Sequence, residues 1–179
     1  MTAPKDRQRL MGQVVLAQAG DRVAFEEVFR LTVDHARKLA FSVVGPNLCD
    51  DVLQESYLLV YRKLHQLKDP RAFIGWLCRL VLHVAYRQQK SLPDHQELPE
   101  ALSSEGGGDS LVDSIVLRRA LSGLHQKDRD VLALRELLGL SYEDISQTLQ
   151  VPVGTVRSRL NKARQRLAER LKTSDTTRS

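Results

Sequence analysis

An acidic stretch rich in proline and glycine, residues 91–113, divides the chain into two short pieces and limits what each can fold into. Its six Asp and Glu residues are accompanied by no Lys or Arg. Such a segment cannot bury enough apolar surface to offset the entropy of ordering it. We therefore predict a flexible acidic linker at 91–113, between domains at residues 1–90 and 114–179. Neither domain, at roughly 60–90 residues, is expected to have a large core alone.

The charge balance on both sides of the linker favours a polyanionic partner. Residues 1–90 carry 14 Lys and Arg against 9 Asp and Glu, and residues 114–179 carry 13 against 7. The whole chain of 179 residues has a formal net charge of +5 and a pI of about 9.4. Nucleic acid is the polyanion that such a balance indicates, although many solvated helical proteins share it.

Composition excludes several other classes of protein. With 42% hydrophobic and 27% charged residues, the chain is expected to fold. Its apolar runs are well short of the roughly 18 residues of a transmembrane helix, and its start lacks the apolar core of a secretory signal. We therefore expect a cytoplasmic protein without membrane insertion. The two cysteines and five histidines have no ligand spacing, so we expect no disulfide scaffold, metal site or cofactor.

The first piece has apolar residues at helical spacing and no strand-like alternation, which predicts an all-α fold. Gly45 followed by Pro46 indicates the end of one helix. Asp69 with Pro70 in the first turn indicates the start of another. The buried faces are predicted at Phe25, Val28, Phe29, Ala36, Leu39, Ala40 and Val43, then at Leu53, Tyr57, Val60, Leu64 and Leu67, and finally at Phe73, Leu77, Leu80, Val81 and Val84.

The second piece has the layout of a helix-turn-helix. Ser141 and Asp144 form a capping-box-like start for a short helix. A turn at Val151 and Pro152 leads from it into a longer basic helix. Two further helices are predicted before this motif, from Leu117, Leu121 and Leu124 and from Val131, Leu134 and Leu138, the second of them ending at Gly139.

The basic helix has an apolar stripe at Val156, Leu160, Ala163, Leu167 and Leu171. The polar side near its start is the candidate reading face. A helix fits the major groove, where Arg pairs with guanine, Asn pairs with adenine and further cations hold phosphates. The same pattern also fits the solvent-facing side of an ordinary helical hairpin. The candidate reading face comprises Arg157, Ser158, Asn161 and Lys162.

Two helical faces in the first piece also contain candidate binding residues. A stripe of Asp51, Glu55, Leu58 and Arg62 combines charge with an exposed Leu, as in a protein-binding surface, although a solvated helix with one tolerated apolar residue fits equally. The next helix interleaves aromatic and cationic residues, which suits unpaired bases and phosphates unless the aromatics are core residues. These residues are Trp76, Arg79, His83, Tyr86, Arg87 and Lys90.

The chain resembles the group four, or extracytoplasmic-function, sigma factors of bacterial RNA polymerase, of the sigma-70 family. The resemblance lies in the order of AFEEVFRL, DDVLQESYLLVYRKL, FIGWLCRLVLHVAYRQQK, an acidic linker and LSYEDISQTLQVPVGTVRSRLNKARQRL. It implies two small helical domains, the second containing the helix-turn-helix. It also implies an alternative-sigma initiation factor, not an enzyme, that binds core polymerase, directs it to specific promoters and assists promoter opening.

The resemblance implies three sets of contact residues. Docking on the beta-prime clamp helices would use Asp51, Gln54, Glu55 and Leu58. Recognition of the minus-ten element would use Lys68, Arg71, Phe73, Trp76, Arg79 and His83. Reading of the minus-thirty-five element would use Arg157, Ser158, Asn161 and Lys162, with Arg159 and Arg164 nearer phosphate. Further implied partners are the polymerase beta flap, promoter DNA and an anti-sigma factor, with no small-molecule substrate.

Five positions depart from the pattern common in that family. His83 stands in place of Asn, Arg87 in place of an acid, and Asn161 in place of an aromatic or basic residue. In the helix-turn-helix, Ser146 replaces a small Ala and Gln150 replaces a turn Gly. Gln150 in a left-handed turn costs about 1 kcal/mol relative to Gly, so we expect a slightly altered turn in an intact motif.

Two other classes of protein are alternatives to a sigma factor. A two-module transcriptional regulator would bind duplex DNA through its helix-turn-helix without polymerase. An enzyme is the poorest interpretation, because the sequence has no nucleophile with a paired base and no metal constellation. Its glycine run lies in the linker, where it cannot cradle a phosphate between a strand and a helix.

Overall fold

The computed structural model describes residues 4–91 and 123–176, with side chains for 5–91 and 123–169. All regular elements in these ranges are helical, which confirms the predicted fold class. Residues 92–113 of the predicted linker, and the helix predicted from Leu117 and Leu121, lie outside the described residues. The α-helices are α1 Pro4–Gln18, α2 Arg22–Val44, α3 Pro46–Lys63, α4 Phe73–Ser91, α5 Gln126–Leu132, α6 Tyr142–Leu149 and α7 Val153–Thr176.

Helices α1 to α4 form the amino-terminal module. Asp21 caps α2 by accepting the backbone N–H of Ala24 at 3.0 Å. Gly45, at φ 72°, ends α2, as the sequence predicts, and Pro46 opens α3 in its first turn. Most of the predicted apolar stripes are buried in one core. The buried members are Val28, Ala36, Leu39, Ala40 and Val43 of α2, Leu53, Tyr57 and Val60 of α3, and Phe73, Leu77, Val81 and Val84 of α4.

Phe29 departs from its predicted place in the buried stripe of α2. Its side chain is 42% exposed, although its ring lies edge-on to Tyr57 with centroids 4.7 Å apart. Residues of α2 on the edge of the stripe reach the surface between α2 and α3. The expectation that Phe29 is a core residue is therefore wrong.

The connection between α3 and α4 is longer than the sequence indicates. Helix α3 ends at Lys63. Leu64 lies in the 3-10 turn that follows, and Leu67 comes directly after that turn. Asp69 and Pro70 open a second 3-10 turn, Pro70–Ala72, and not α4 itself. The carbonyls of Leu64 and Leu67 both accept from the Gln18 side chain, at 2.9 and 2.7 Å, so α1 holds this connection in place.

Helices α5 to α7 form the carboxy-terminal module. Helix α5 continues into a π-helical turn, Ala133–Leu137, and the chain then turns at Gly139, where φ is 66°. Val131, Leu134 and Leu138 are buried in this segment, as predicted. Helix α7 packs against both α5 and α6. This packing presents the start of α7 on the outside of the module.

The two modules pack against each other in this structure. Helix α4 contacts α6, and α2 contacts the π-helical turn after α5. The buried apolar residues form one cluster that runs from Leu10 in α1 to Ala163 in α7. We expected two small cores, and the structure joins them into one.

None of the helices in the described ranges is both long enough and apolar enough to cross a membrane. Within the same ranges, no three His, Cys, Asp or Glu side chains are grouped as metal ligands would be.

Candidate nucleic-acid interface

The helix-turn-helix consists of α6, a tight turn and α7. Ser141 Oγ accepts the backbone N–H of Asp144 at 3.0 Å, which confirms the predicted capping start. At the other end of α6, the backbone N–H of Gln150 donates to the carbonyl of Ser146. Ser146 Oγ donates to the Val151 carbonyl at 2.6 Å. The two unusual residues of the motif, Ser146 and Gln150, therefore both form its turn.

Gln150 lies in the left-handed region, with φ 54° and ψ 49°. It is the one residue other than glycine with a positive φ among residues 4–91 and 123–176. A side chain in this region costs about 1 kcal/mol because its Cβ crowds the following carbonyl. The turn therefore forms with a local strain that glycine would not have.

Helix α7 directs its apolar stripe inward and its polar side outward, as predicted. Val156, Leu160 and Ala163 are fully buried, and Leu167 is half-buried. The side chain of Leu171, the last predicted member of the stripe, lies outside the described residues. The spacing of these residues by three and four positions fixes which side of the helix faces solvent. The predicted reading face is exposed at all four of its positions, Arg157, Ser158, Asn161 and Lys162.

Other cations of α7 are paired inside the carboxy-terminal module. Arg164 donates to Glu136 Oε1 through Nη2 at 2.7 Å and through Nε at 3.2 Å, and this hydrogen bonding raises the pKa of Arg164. Arg166 Nη1 donates to Asp128 at 2.9 Å. Arg159 is half-buried. Arg164, expected near phosphate, is thus exposed but already has a carboxylate partner.

A second surface lies on α3. Asp51, Gln54 and Leu58 are exposed there, with Leu58 50% exposed. Glu55 differs from these three, because it is half-buried and forms an ion pair with Arg87 of α4. Gln88 of α4 also donates to Glu55 at 3.0 Å. Of the four residues predicted to dock on polymerase, three are therefore exposed, and Glu55 instead links α3 to α4.

An apolar groove of about 440 Å³ lies beside this surface, between α2 and α3. Phe29 and Tyr61 line it and are 42% and 57% exposed. Phe25 stacks edge-on against Tyr61, with ring centroids 5.2 Å apart. Sequence reasoning missed this groove. The signal available for it was the aromatic spacing of four residues in both helices, 25 and 29 in α2 and 57 and 61 in α3.

The residues expected at the minus-ten element fall into different environments. Lys68 and Arg71 are exposed before α4, where Arg71 Nε pairs with Asp69 at 3.0 Å. Trp76 is half-buried against the core. Phe73 is 1% exposed, with its ring centroid 6.1 Å from that of Trp76. Phe73 is a core residue beside Trp76 and presents no surface to a base, which corrects the expectation for it.

Arg79 and His83 lie on the side of α4 that faces the carboxy-terminal module. His83 is exposed and lines a cavity of about 490 Å³ between the modules. Arg79 donates to two backbone carbonyls of α6, through Nε to Thr148 at 3.0 Å and through Nη2 to Gln147 at 2.9 Å. The structure thus brings a candidate minus-ten cation into contact with the helix-turn-helix.

Comparisons with known proteins show which family this chain is similar to. The family model described as Sigma-70, region 4 matches residues 114–167. The ECF RNA polymerase sigma-E factor of Haemophilus influenzae is 31% identical over 171 residues, which cover 86% of this chain and 90% of the relative.

Two solved structures have a similar fold. One is CnrH in complex with the cytosolic domain of CnrY, with a TM-score of 0.77 and 21% identity over 92% of this chain and 98% of that chain. The other is the sigma factor RpoE in complex with the anti-sigma factor NepR from Bartonella quintana. Its TM-score is 0.67 and its identity 23%, over 83% of this chain and 96% of that chain.

The fold and the exposed basic helix define a DNA-binding protein of the helix-turn-helix class. The sigma-E relative aligns over most of both chains at more than 30% identity. The chain therefore belongs to the extracytoplasmic-function (ECF) RNA polymerase sigma factors, as the sequence motifs indicate. This is a family of non-enzymatic transcription initiation factors.

Proposed function

We propose that this chain binds core RNA polymerase, directs it to a specific set of promoters and assists their opening, under the control of an anti-sigma factor. The observation that carries the proposal is the exposed basic face of the helix-turn-helix in a chain of the ECF family. In this proposal, residues 1–90 bind polymerase and the minus-ten element. Residues 91–113 are the linker, and residues 114–179 read the minus-thirty-five element.

The start of α7 would enter the major groove at the minus-thirty-five element. Arg157 and Asn161 are the residue types that pair bidentately with guanine and adenine edges, and Ser158 pairs with either. Lys162 adds charge beside them on the same exposed face. Arg159 and Arg164 would lie nearer phosphate, with Arg164 exchanging its Glu136 partner for the DNA backbone.

The exposed part of α3 would dock on the clamp helices of the beta-prime subunit. Asp51 and Gln54 supply polar contacts and Leu58 an apolar one, next to the groove lined by Phe29 and Tyr61. Apolar anchors with a polar rim are typical of protein interfaces. Glu55 would contribute by orienting this surface through Arg87. The carboxy-terminal module would contact the beta flap.

The minus-ten element would be captured by α4 and the connection before it. Lys68 and Arg71 are exposed cations suited to phosphates, and Trp76 offers an aromatic surface for an unpaired base. Arg79 and His83 would complete this surface once the carboxy-terminal module has moved away. Binding energy from both modules would offset the energy needed to separate the strands.

Control by an anti-sigma factor is supported by the complexes in which similar folds have been solved. CnrH was solved with the cytosolic domain of CnrY, and RpoE with the anti-sigma factor NepR. An analogous partner of this chain would cover its polymerase-binding surface. We therefore expect such a partner and core enzyme to exclude each other.

Dependence on polymerase is the property that tests this function. Two weak DNA contacts gain effective concentration only when polymerase holds both modules at the right separation. A gel-shift on a promoter fragment should therefore detect specific binding when core enzyme is present and little binding by the isolated chain. Tight, sequence-specific duplex binding without polymerase would instead indicate an ordinary helix-turn-helix regulator.

A further inference from the structure

Two arginines of the carboxy-terminal module share the aromatic ring of Tyr142. The guanidinium carbon of Arg135 lies 5.1 Å from the centroid of this ring, and that of Arg157 lies 5.9 Å from it. Both distances are within the roughly 6 Å at which a cation is attracted to an aromatic ring. Tyr142 is the first residue of α6, and Arg157 is near the start of α7. The ring thus connects the first helix of the helix-turn-helix to the reading face of the second.

The Tyr142 side chain is held by the rest of the module. It is half-buried and packs against the apolar cluster. Ser141, directly before it, caps α6 and fixes the backbone there. Arg135 Nη1 donates to the carbonyl of Leu140 at 2.7 Å, so this cation is anchored beside the ring. The ring is therefore a fixed surface that the exposed Arg157 contacts.

This contact distinguishes Arg157 from the rest of the reading face. Ser158 Oγ donates within α7, to the carbonyl of Thr155 at 3.0 Å. Within residues 5–91 and 123–169, Arg157 is the one member of the reading face whose side chain has a ring contact, hydrogen bond or ion pair outside α7. One of the four reading residues is therefore positioned by α6 as well as by its own helix.

An aromatic partner leaves the donors of an arginine free, whereas a carboxylate partner takes them. Arg164 gives two N–H donors to Glu136. The Tyr142 ring attracts the charge of Arg157 through its π-electrons, and Arg157 stays exposed with its donors available. Fixing a free Arg side chain on a base costs conformational entropy, and a contact that fixes it beforehand removes part of that cost. The ring contact therefore favours pairing with a base.

We infer that Tyr142 is a positioning residue for base recognition: its ring holds the Arg157 guanidinium ready to pair with a base edge in the major groove. The inference rests on the proposed function, since it takes Arg157 to be a reading residue. The hydroxyl of Tyr142 acts on another cation. A hydrogen bond to it is a smaller cause, after the hydrogen bond to Glu136, of the raised pKa of Arg164. Tyr142→Phe should therefore keep the positioning of Arg157, and Tyr142→Leu should lose it.

Nuclear magnetic resonance on the full chain without polymerase tests the contact itself. The nitrogen-15 order parameter of the Arg157 Nε–H group reports how far this side chain is restrained on the picosecond to nanosecond timescale. The signal is assigned by its loss in Arg157→Lys. We expect equal order parameters in the wild type and Tyr142→Phe, and a lower one in Tyr142→Leu. Equal values in all three proteins would overturn the inference.

Competition between promoter duplexes for the holoenzyme, formed from core enzyme and the full chain, tests the effect on reading. The informative base pair is the one at which Arg157→Ala loses discrimination. At that pair, Tyr142→Leu should reduce discrimination by about two- to fivefold, which is the worth of an exposed cation–π contact. Tyr142→Phe is the matched control and should discriminate as the wild type does. Undiminished discrimination by Tyr142→Leu, or by Arg157→Ala at every base pair, would show that the inference is wrong.

A double variant separates positioning from an effect on the fold. Leu is smaller than Tyr, so Tyr142→Leu also changes the packing of α6. If Tyr142 acts through Arg157, Tyr142→Leu adds no further loss of discrimination in an Arg157→Ala background. A further loss of the same size would mean that Tyr142 acts through the fold, which contradicts the inference. If the wild-type holoenzyme discriminates at no upstream base pair, the proposed function and the reading role fail together, whereas a lower order parameter in Tyr142→Leu still shows that the ring restrains Arg157.

Discussion

Gln150 is the residue at which the backbone of the helix-turn-helix is strained. Its φ of 54° places a Cβ where glycine is favoured, and the turn keeps its hydrogen bond to Ser146 nevertheless. Gln150→Gly should therefore raise the free energy of unfolding by about 1 kcal/mol, measured by urea denaturation. Gln150→Ala keeps the Cβ and is the control, for which no such gain is expected. Equal effects of the two substitutions would contradict the assignment of strain to the Cβ.

Asp130 is the residue whose ionisation opposes the folded state. Burial raises the pKa of its carboxyl to about 6, against the lowering effects of the Tyr86 hydrogen bond and the charges of Arg129 and Arg159. In the unfolded chain an Asp has a pKa of about 3.9. The folded chain therefore binds this proton more tightly. Its contribution to stability is fully present below about pH 4 and is lost as the pH rises through about 6.

Asp130→Asn measures that contribution, because Asn still accepts a hydrogen bond from Tyr86 but does not ionise. Between pH 4 and pH 7, the unfolding free energy of the wild type should fall relative to that of the variant by roughly 2–3 kcal/mol. Urea unfolding of both proteins at the two pH values gives the difference directly. A difference that does not change with pH would mean that Asp130 titrates normally in the folded chain.

Helix α3 carries the residues proposed to bind polymerase, and the residues proposed to bind DNA lie on other elements. Asp51 is exposed on it, so Asp51→Arg should weaken binding to core enzyme by about tenfold while leaving thermal unfolding unchanged. Glu26→Arg makes the same charge change at an exposed site of α2 and should bind normally. The affinity is measured by titrating labelled core enzyme. Normal binding by the Asp51 variant would contradict docking through α3.

Helix α7 is the element that should carry base specificity. Arg157→Ala should reduce discrimination at one minus-thirty-five base pair by about 1–3 kcal/mol, since a bidentate contact to guanine has that worth. Competition between promoter variants for the holoenzyme measures the discrimination. Gln165→Ala, exposed two turns further along α7, should leave it unchanged. Loss of discrimination in both variants, or in neither, would contradict reading by the start of α7.

Local pattern was sufficient to predict most helices and the helix-turn-helix. Gly45 and Pro46 delimit α2 and α3, and Ser141 caps α6, because these residues act through their own backbone geometry. Helix α1 was not predicted, because it has no sustained apolar stripe and is held by contacts with α2 and through Gln18. The start of α4 was misplaced because Asp69 can cap a 3-10 turn as readily as an α-helix.

At the scale of the whole molecule, the sequence pattern predicts the two modules but not how they pack against each other. The acidic linker divides the sequence, which suggests two independent units. Their packing depends on contacts between residues far apart in the chain, such as Arg79 with Thr148 and Tyr86 with Asp130. The role of Phe73 could not be predicted from the sequence pattern either, because an aromatic residue at helical spacing fits both a core position and a base-stacking surface. Only the three-dimensional arrangement distinguishes these two roles.

As a promoter-specificity subunit, this chain should determine where polymerase begins transcription. The decisive experiment is transcription of genomic DNA in vitro by core enzyme, with the 5′ ends mapped in the presence and absence of the chain. We expect the chain to add a limited set of start sites that share two upstream sequence elements at a fixed spacing. A set of start sites identical to that of core enzyme alone would contradict a role in promoter selection.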